Sequence, residues 1–225
     1  MREFEAFAYS LSHDMRAPLR AIQSLTEVIE EDYGGQAPGA VPHLQKIVRS
    51  AERLDRLVCD VLQFARIARN EISLSPTNVG DLVREIVMDR PEFRTPKAHV
   101  SVAIDIVSVQ AHEALLSQCL ANLLDNAVKY VSHGTVPYVR IFTESASSGR
   151  VRLCVQDNGF GIEAEHQSKL FELFRRLPAS EGYEGAGVGL AIVKKAAGRM
   201  NGEVGVTSSP GLGSTFWIEL DKAHA

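Results

Sequence analysis

The chain is poor in cysteine and in uninterrupted apolar sequence, and it lacks an excess of positive charge. Each shortage removes a class of protein. Its 225 residues hold three cysteines, Cys59, Cys119 and Cys154, standing apart in apolar surroundings with no Cys-x-x-Cys spacing. That excludes a disulfide framework and a thiolate metal site, and is the usage expected of reduced core residues in a cytoplasmic protein. No apolar run approaches the ~20 residues of a membrane-spanning helix, and no secretory leader pattern is read at the start. The 24 Lys and Arg against 28 Asp and Glu leave a net charge of −4, so no global field draws the chain to nucleic acid or to an anionic membrane. There is no internal repeat and no low-complexity segment. What remains, 45% hydrophobic and 23% charged, is ordinary globular composition at a length that suits one large domain or two small ones.

Apolar residues recur at Phe4, Ala8, Leu11, Met15, Pro18, Ile22, Leu25 and Ile29, in steps that alternate between four and three. That is a helical seam of bundle type. With Ala8 at position a and Leu11 at d, His13 falls at f, the outermost point of the heptad, and Asp14 follows it within reach of its Nδ1 side. On the helix alone this is more readily a surface histidine than a reactive one. The helix pattern is already under way at the start, as expected of a segment that continues an upstream one. It should run to about residue 32, where Tyr33-Gly34-Gly35 ends it through the left-handed conformation that glycine permits. A second seam follows a Gly- and Pro-rich loop, at Leu44, Ile47, Ala51, Leu54, Val58, Val61, Ala65 and Ala68. Two helices joined this way form an antiparallel hairpin. A lone hairpin cannot cover both apolar stripes, so a second copy is the expected cover, giving a four-helix bundle by two-fold dimerisation.

Residues 71–77 read as a linker, with Ser75-Pro76 marking a turn. Beyond it the pattern gives a helix at 79–88, a strand at 100–105, a long helix at 111–130 and two strands at 138–143 and 151–156 joined by a hairpin. A short helix at 170–176 lies within a glycine-rich stretch, followed by a helix at 188–200 and two closing strands at 204–207 and 215–220. Strands in one layer and helices in another make this an α/β domain of residues 78–225, after a helical domain of residues 1–70.

Three stretches of the second domain carry candidate chemistry. Asn122, Asn126, Lys129 and Tyr130 fall at i, i+4, i+7 and i+8 of the long helix, so one face bears two amides, an amine and a phenol. An amide oxygen suits hard Mg²⁺, and a lysine suits phosphate as a point charge. Asp157-Asn158-Gly159-Phe160-Gly161 follows an apolar strand, where an aspartate can accept from an amino group and glycines let a flat ring approach the backbone. Gly185-Ala186-Gly187-Val188-Gly189-Leu190 runs into a helix, and N–H groups at a glycine-rich helix start form an anion site. It is neither a Walker loop nor a Rossmann fingerprint. Each stretch alone reads equally as a solvated helix face, a plain turn or a loop.

In this order they resemble the boxes of sensor histidine kinases. Ser-His-Asp-Met-Arg-Ala-Pro-Leu, residues 12–19, is similar to the H box, residues 122–130 to the N box, 157–161 to DxGxG, and Leu170-Phe171-Glu172-Leu173-Phe174-Arg175-Arg176 to the F box. The glycine loop at 185–190 and the Gly-x-Gly-Ser-x-Phe of 211–216 complete the set. The resemblance implies an α+β protein: a hairpin that dimerises into a four-helix bundle, then a two-layer α/β sandwich of the Bergerat type shared with gyrase-type ATPases. It implies ATP and Mg²⁺ as cofactors, with Asn126 and, assisting it, Asn122 on the metal. Lys129 and Arg176 would approach phosphates, Tyr130 would pack by the nucleotide, and Asp157 would read adenine. Phe171 and Phe174 would anchor a lid over residues 178–184, while Gly159, Gly161, Gly185, Gly187, Gly189, Leu190 and Thr215 would complete the nucleotide contacts. His13 would take the phosphoryl group, oriented by Asp14, and pass it to an aspartate of a response regulator receiver domain. The partners implied are that receiver and a second copy of the chain, with no nucleic acid and no membrane contact in this segment. Gyrase-type ATPases carry a glutamate where this chain has Asn122, which disfavours hydrolysis, and intact boxes disfavour a scaffold that only binds nucleotide. Relatives that also remove phosphate from the receiver carry Thr or Asn four residues after the histidine; here that residue is Ala17, so phosphatase activity is expected to be weak.

Overall fold

The computed structural model describes residues 2–67, 71–106, 108–146, 149–177, 183 and 185–223, and in the first helix it describes the side chains of Met15 and of residues from 18 onward. The chain divides into two compact units, one of residues 1–69 with 184–188 and one of residues 70–183 with 189–225.

The first unit is a hairpin of α1 (Arg2–Tyr33) and α2 (Val41–Ile67). Leu19 and Thr26 of α1 pack against a stripe of Ala51, Val58, Leu62 and Ala65 on α2, and Thr26 satisfies its buried hydroxyl by donating to the Ile22 carbonyl at 2.6 Å. Ala51, Val58 and Ala65 belong to the expected second seam. Ile22, Leu25 and Ile29 remain 42%, 63% and 44% exposed, beside the packed stripe. The helix end differs from expectation. Neither Gly34 nor Gly35 is left-handed; Gly34 is required because a Cβ there would meet the Glu30 carbonyl, which its own N–H bonds at 3.0 Å. Among the described residues no helix is long and apolar enough to cross a membrane.

The second unit opens with β1 (Ser75–Asn78), not with a turn: the end of the expected linker pairs antiparallel with β3 (Ser108–Ala111), a strand the sequence pattern missed. Four residues are too few to show alternation, and Pro76 is tolerated because the ribbon has a free edge. The Asn78 side chain accepts from Asp81 N–H at 3.1 Å and starts α3 (Val79–Asp89). β2 (His99–Ala103), β4 (Tyr138–Ser145), β5 (Arg150–Asp157), β6 (Glu203–Ser208) and β7 (Ser214–Asp221) form a mixed sheet in the order β2-β4-β5-β7-β6, with only β2 and β4 parallel.

One sheet face is dry. Val139 and Ile141, Val151, Leu153 and Val155, and Phe216, Ile218 and Leu220 alternate inward. They are covered by α4 (Glu113–Lys129), through Leu116, Leu120, Leu123 and Leu124, and by α6 (Gly189–Arg199), through Ile192, Val193 and Ala196. On the other face Arg152 lies 4.3 Å from the Trp217 ring centroid and bonds Glu219 at 2.7 Å. Residues 170–176 are not the expected helix. Hydrogen bonds from Glu172 N–H to Lys169 and from Arg175 N–H to Glu172 span three residues, and Phe174 has φ 62°, which no α-helix tolerates. The short helix of this stretch is α5 (Ala164–Gln167).

Leu120, fully buried between α4 and the sheet, sets the first test: Leu120→Ala should lower unfolding stability by about 2–5 kcal/mol, measured by urea titration.

Candidate functional site

α4 is started by His112, whose Nδ1 accepts from Leu115 N–H at 3.4 Å, and is stopped at Tyr130, whose backbone leaves the helix at φ −91°, ψ 48°. Between these ends the apolar side of α4 fixes its rotation, so Asn122, Asn126 and Lys129 share the remaining half-buried face. Asn122 donates Nδ2–H to the Gln118 carbonyl at 2.9 Å, and its Oδ1 is turned to the start of α6: a Cβ at Gly189 would stand 3.0 Å from it. The Asn126 side chain makes no hydrogen bond among the described residues, leaving its amide oxygen available to a hard cation. One turn before Asn122, Gln118 Nε2 is buried without a partner among the described residues. Lys129 folds onto its neighbour, with Nζ 4.4 Å from the Tyr130 ring centroid and donating to its hydroxyl oxygen at 3.0 Å.

The DxGxG turn closes against the end of this helix, backbone to backbone. Phe160 N–H donates to the Tyr130 carbonyl at 3.3 Å, and a Cβ on Gly159 would collide with that same carbonyl. Asp157, at the end of β5, accepts from Gly159 N–H at 2.8 Å and Ser214 N–H at 3.0 Å, both on Oδ1; Oδ2 takes part in neither bond. Burial pushes this carboxyl up to about 6, the two N–H bonds offsetting only part of the desolvation. Gly161 (φ 72°) presses on the Ser209 carbonyl, and Gly211 N–H donates to Phe160 at 2.8 Å, so the loop before β7 is locked to the same turn.

The remaining motif residues are distributed differently from expectation. Thr215 lies on the sheet face opposite Phe216, and next to it the Ser214 backbone N–H donates to the Asp157 carboxylate. Phe171 is half-buried and Phe174 is 54% exposed, and among the described residues neither joins a ring cluster. Arg176 donates to the Tyr183 carbonyl at 2.8 Å. Gly185 (φ 140°) and Gly187 (φ 72°), five and three residues before Leu190 of α6, adopt conformations that other residues avoid. The side chains of His13, Asp14 and Ala17 lie outside the described residues, as does the expected lid apart from Tyr183. Tyr183 is the site residue that sequence reasoning missed. Its ring sits 5.7 Å from Tyr130, 5.8 Å from Phe160 and 5.6 Å from His133, and its hydroxyl donates to the Val131 carbonyl at 2.7 Å.

Residues 5–70 match the family model of the His Kinase A (phospho-acceptor) domain, and residues 111–224 that of the histidine kinase-, DNA gyrase B-, and HSP90-like ATPase. Sensor histidine kinase AruS of Pseudomonas aeruginosa is 34% identical over 230 residues, covering 97% of this chain and 23% of AruS. Cyanobacterial phytochrome B of a Nostoc species is 32% identical over 224 residues, covering 97% of this chain and 29% of its own length. The crystal structure of full-length ShkA in complex with AMPPNP superposes with a TM-score of 0.74 at 30% identity, over 98% of this chain and 47% of that one. The chain thus spans less than a third of the length of these two curated relatives.

Asp157 supplies a test of the site's electrostatics. Its native value of about 6 lies above the ordinary 3.8, so the folded chain holds a proton that the unfolded chain releases, and this residue's contribution to stability falls as pH rises from about 4 to about 6. Asp157→Asn keeps an oxygen for the two N–H bonds and should lose that fall, seen as a smaller difference in urea midpoint between the ends of this window than in the parent chain.

Proposed function

This chain belongs to the histidine kinases, with a phospho-acceptor domain ahead of an ATPase domain, and we propose that it moves the γ-phosphoryl group of ATP to His13 and then to an aspartate of a receiver protein. The observation that carries the nucleotide part is the closure of Tyr130 on the Asp157–Gly159 turn, with Asn122 of α4 facing Gly189 at the start of α6. It holds the turn that carries a carboxylate for an amino group against the helix that carries an amide oxygen for a metal and an amine for phosphates.

Asp157 Oδ2 is the oxygen for the exocyclic amine of adenine, a donor that the ring nitrogens alone would not discriminate. Asn126, assisted by Asn122, fits Mg²⁺ because a neutral amide oxygen is a hard donor without a competing hydrogen bond here. Mg²⁺ there supplies neutralisation of the triphosphate charge. Lys129 and Arg176 give up their present partners for phosphate, and the N–H groups at the start of α6 receive its oxygens. His13 attacks as the neutral imidazole, the form well populated near neutral pH. Asp14 holds Nδ1–H, so that the lone pair lies on Nε2; the Nε2–P bond forms as the P–O bond to ADP breaks. Asn122 is an amide and takes no proton from water, which supports transfer over hydrolysis. The exposed Ile22, Leu25 and Ile29 support dimerisation through the hairpin, and the reading assigns residues 1–70 to that role and residues from 78 to the ATPase. ATP as donor supports a cytoplasmic location for this segment.

His13→Gln should abolish transfer of label from ATP to acid-labile histidine while leaving ATP affinity within about twofold, since the substitution removes the acceptor and no nucleotide contact. Retained labelling would identify another of the seven histidines as acceptor.

Dephosphorylation of the receiver should be weak, because Ala17, one turn after His13, has no polar atom to hold a water. Ala17→Thr should raise loss of label from purified phospho-receiver, assayed without ADP, by roughly 10-fold or more.

A further inference from the structure

We infer that Tyr183 is a positioning residue for nucleotide, acting through Tyr130; this rests on the nucleotide reading above. Tyr183 belongs to none of the sequence boxes and stands two residues ahead of Gly185. It is nevertheless tied at every functional group. Its hydroxyl donates to the Val131 carbonyl at 2.7 Å, and its carbonyl accepts from Arg176 at 2.8 Å. Its ring stacks on His133 at 8° between planes and meets Tyr130 and Phe160 at steeper angles of 56° and 50°. Tyr130 and Phe160 also meet edge-on, with centroids 6.0 Å apart.

Four rings from three separate stretches of chain therefore hold one another, and ring pairs of this kind fix orientation as well as burying area. Tyr130 is the member with consequences. Its carbonyl receives Phe160 of the DxGxG turn, and its hydroxyl oxygen receives Lys129 Nζ. Removing the Tyr183 ring frees the Tyr130 ring to turn, and with it the Lys129 amine held on its hydroxyl, and takes from Phe160 of the base-side turn one of its ring neighbours. Tyr183 bonds neither Asp157 nor Asn126, so its influence passes through its neighbours.

The test uses the full chain. AMPPNP with Mg²⁺ is titrated into the parent, Tyr183→Ala, Tyr183→Phe and His133→Ala, and KM and kcat for autophosphorylation are measured in each. Tyr183→Ala should raise Kd and KM about 10-fold with kcat within about twofold. Tyr183→Phe keeps the ring contacts and should rise only about 2- to 3-fold, and His133→Ala should move KM in the same direction. That near-rescue by phenylalanine separates positioning from general loosening, which would lower kcat as well. A parent-like Kd in Tyr183→Ala, or a fall in kcat with KM unchanged, overturns the inference. Should Tyr183→Ala show no cooperative thermal transition, parent-like KM in both Tyr183→Phe and His133→Ala overturns it. A parent chain that binds no AMPPNP overturns the nucleotide reading and this inference with it, whereas parent binding matched by the alanine variant overturns this inference alone.

Discussion

Two backbone N–H groups converge on one carboxylate oxygen at the end of a central strand, and the architecture of the second unit follows from accommodating them. Gly159 and Ser214 both donate to Asp157 Oδ1, which draws the turn after β5 and the loop before β7 onto a single atom. Glycine is then forced at two places: a side chain at 159 would strike the Tyr130 carbonyl, and one at 213 would strike the carbonyl of Asp157 itself. For the fold this is an expensive arrangement. Burial raises the carboxyl to about 6, and an asparagine would receive the same two N–H bonds without a charge to desolvate. A group that costs stability where a neutral one would serve is better explained by what its free oxygen binds than by what it holds together.

That turn is useful only because α4 delivers its polar face beside it. β5 is central, paired with β4 on one side and β7 on the other, so the end of β5 is held by two ladders. α4 is clamped on the same sheet by four fully buried leucines, and its last turn ends in the Tyr130 carbonyl that the DxGxG turn engages. The depth of Asn126 and Lys129 relative to Asp157 is therefore set by the length of a helix and the register of a sheet, elements with little freedom, and not by loops.

Legibility followed the physics of each segment. Long amphipathic helices and strands with one dry face announced themselves, because burial imposes a period on the sequence; α1, α2, α4 and β5 were read within a few residues. The β1–β3 ribbon was not, since four residues carry no period and its proline argued for a turn. Residues 170–176 have a helix-like alternation of leucine, phenylalanine and charge, but Phe174 at φ 62° breaks the helix, and nothing in the residue types signals a left-handed phenylalanine. In the site, glycine and aspartate positions were legible from motif spacing. The bond from Ser214 to Asp157 was not, because it comes from a backbone N–H, which any residue type carries. Tyr183 was invisible for a different reason: its partners lie about 20 to 50 residues away in sequence, and only the folded chain brings them to one place.

On the proposed function, the residue that separates transferring a phosphoryl group from losing it to water is Asn122. As an amide it has both a donor and an acceptor, and uses them in opposite directions: Nδ2–H satisfies the Gln118 carbonyl one turn back, and Oδ1 looks toward Gly189. A glutamate in the same rotamer would have no hydrogen to give Gln118 and would set a negative charge against the helix start. Near the N–H groups of α6 such a charge would be stabilised, and it would also occupy the ground on which phosphate oxygens are to be received. The amide avoids both results. It keeps the helix N-terminus open to an anion and offers no basic atom to a water molecule there, so in the proposed reaction α4 supplies no activated nucleophile to compete with the acceptor imidazole.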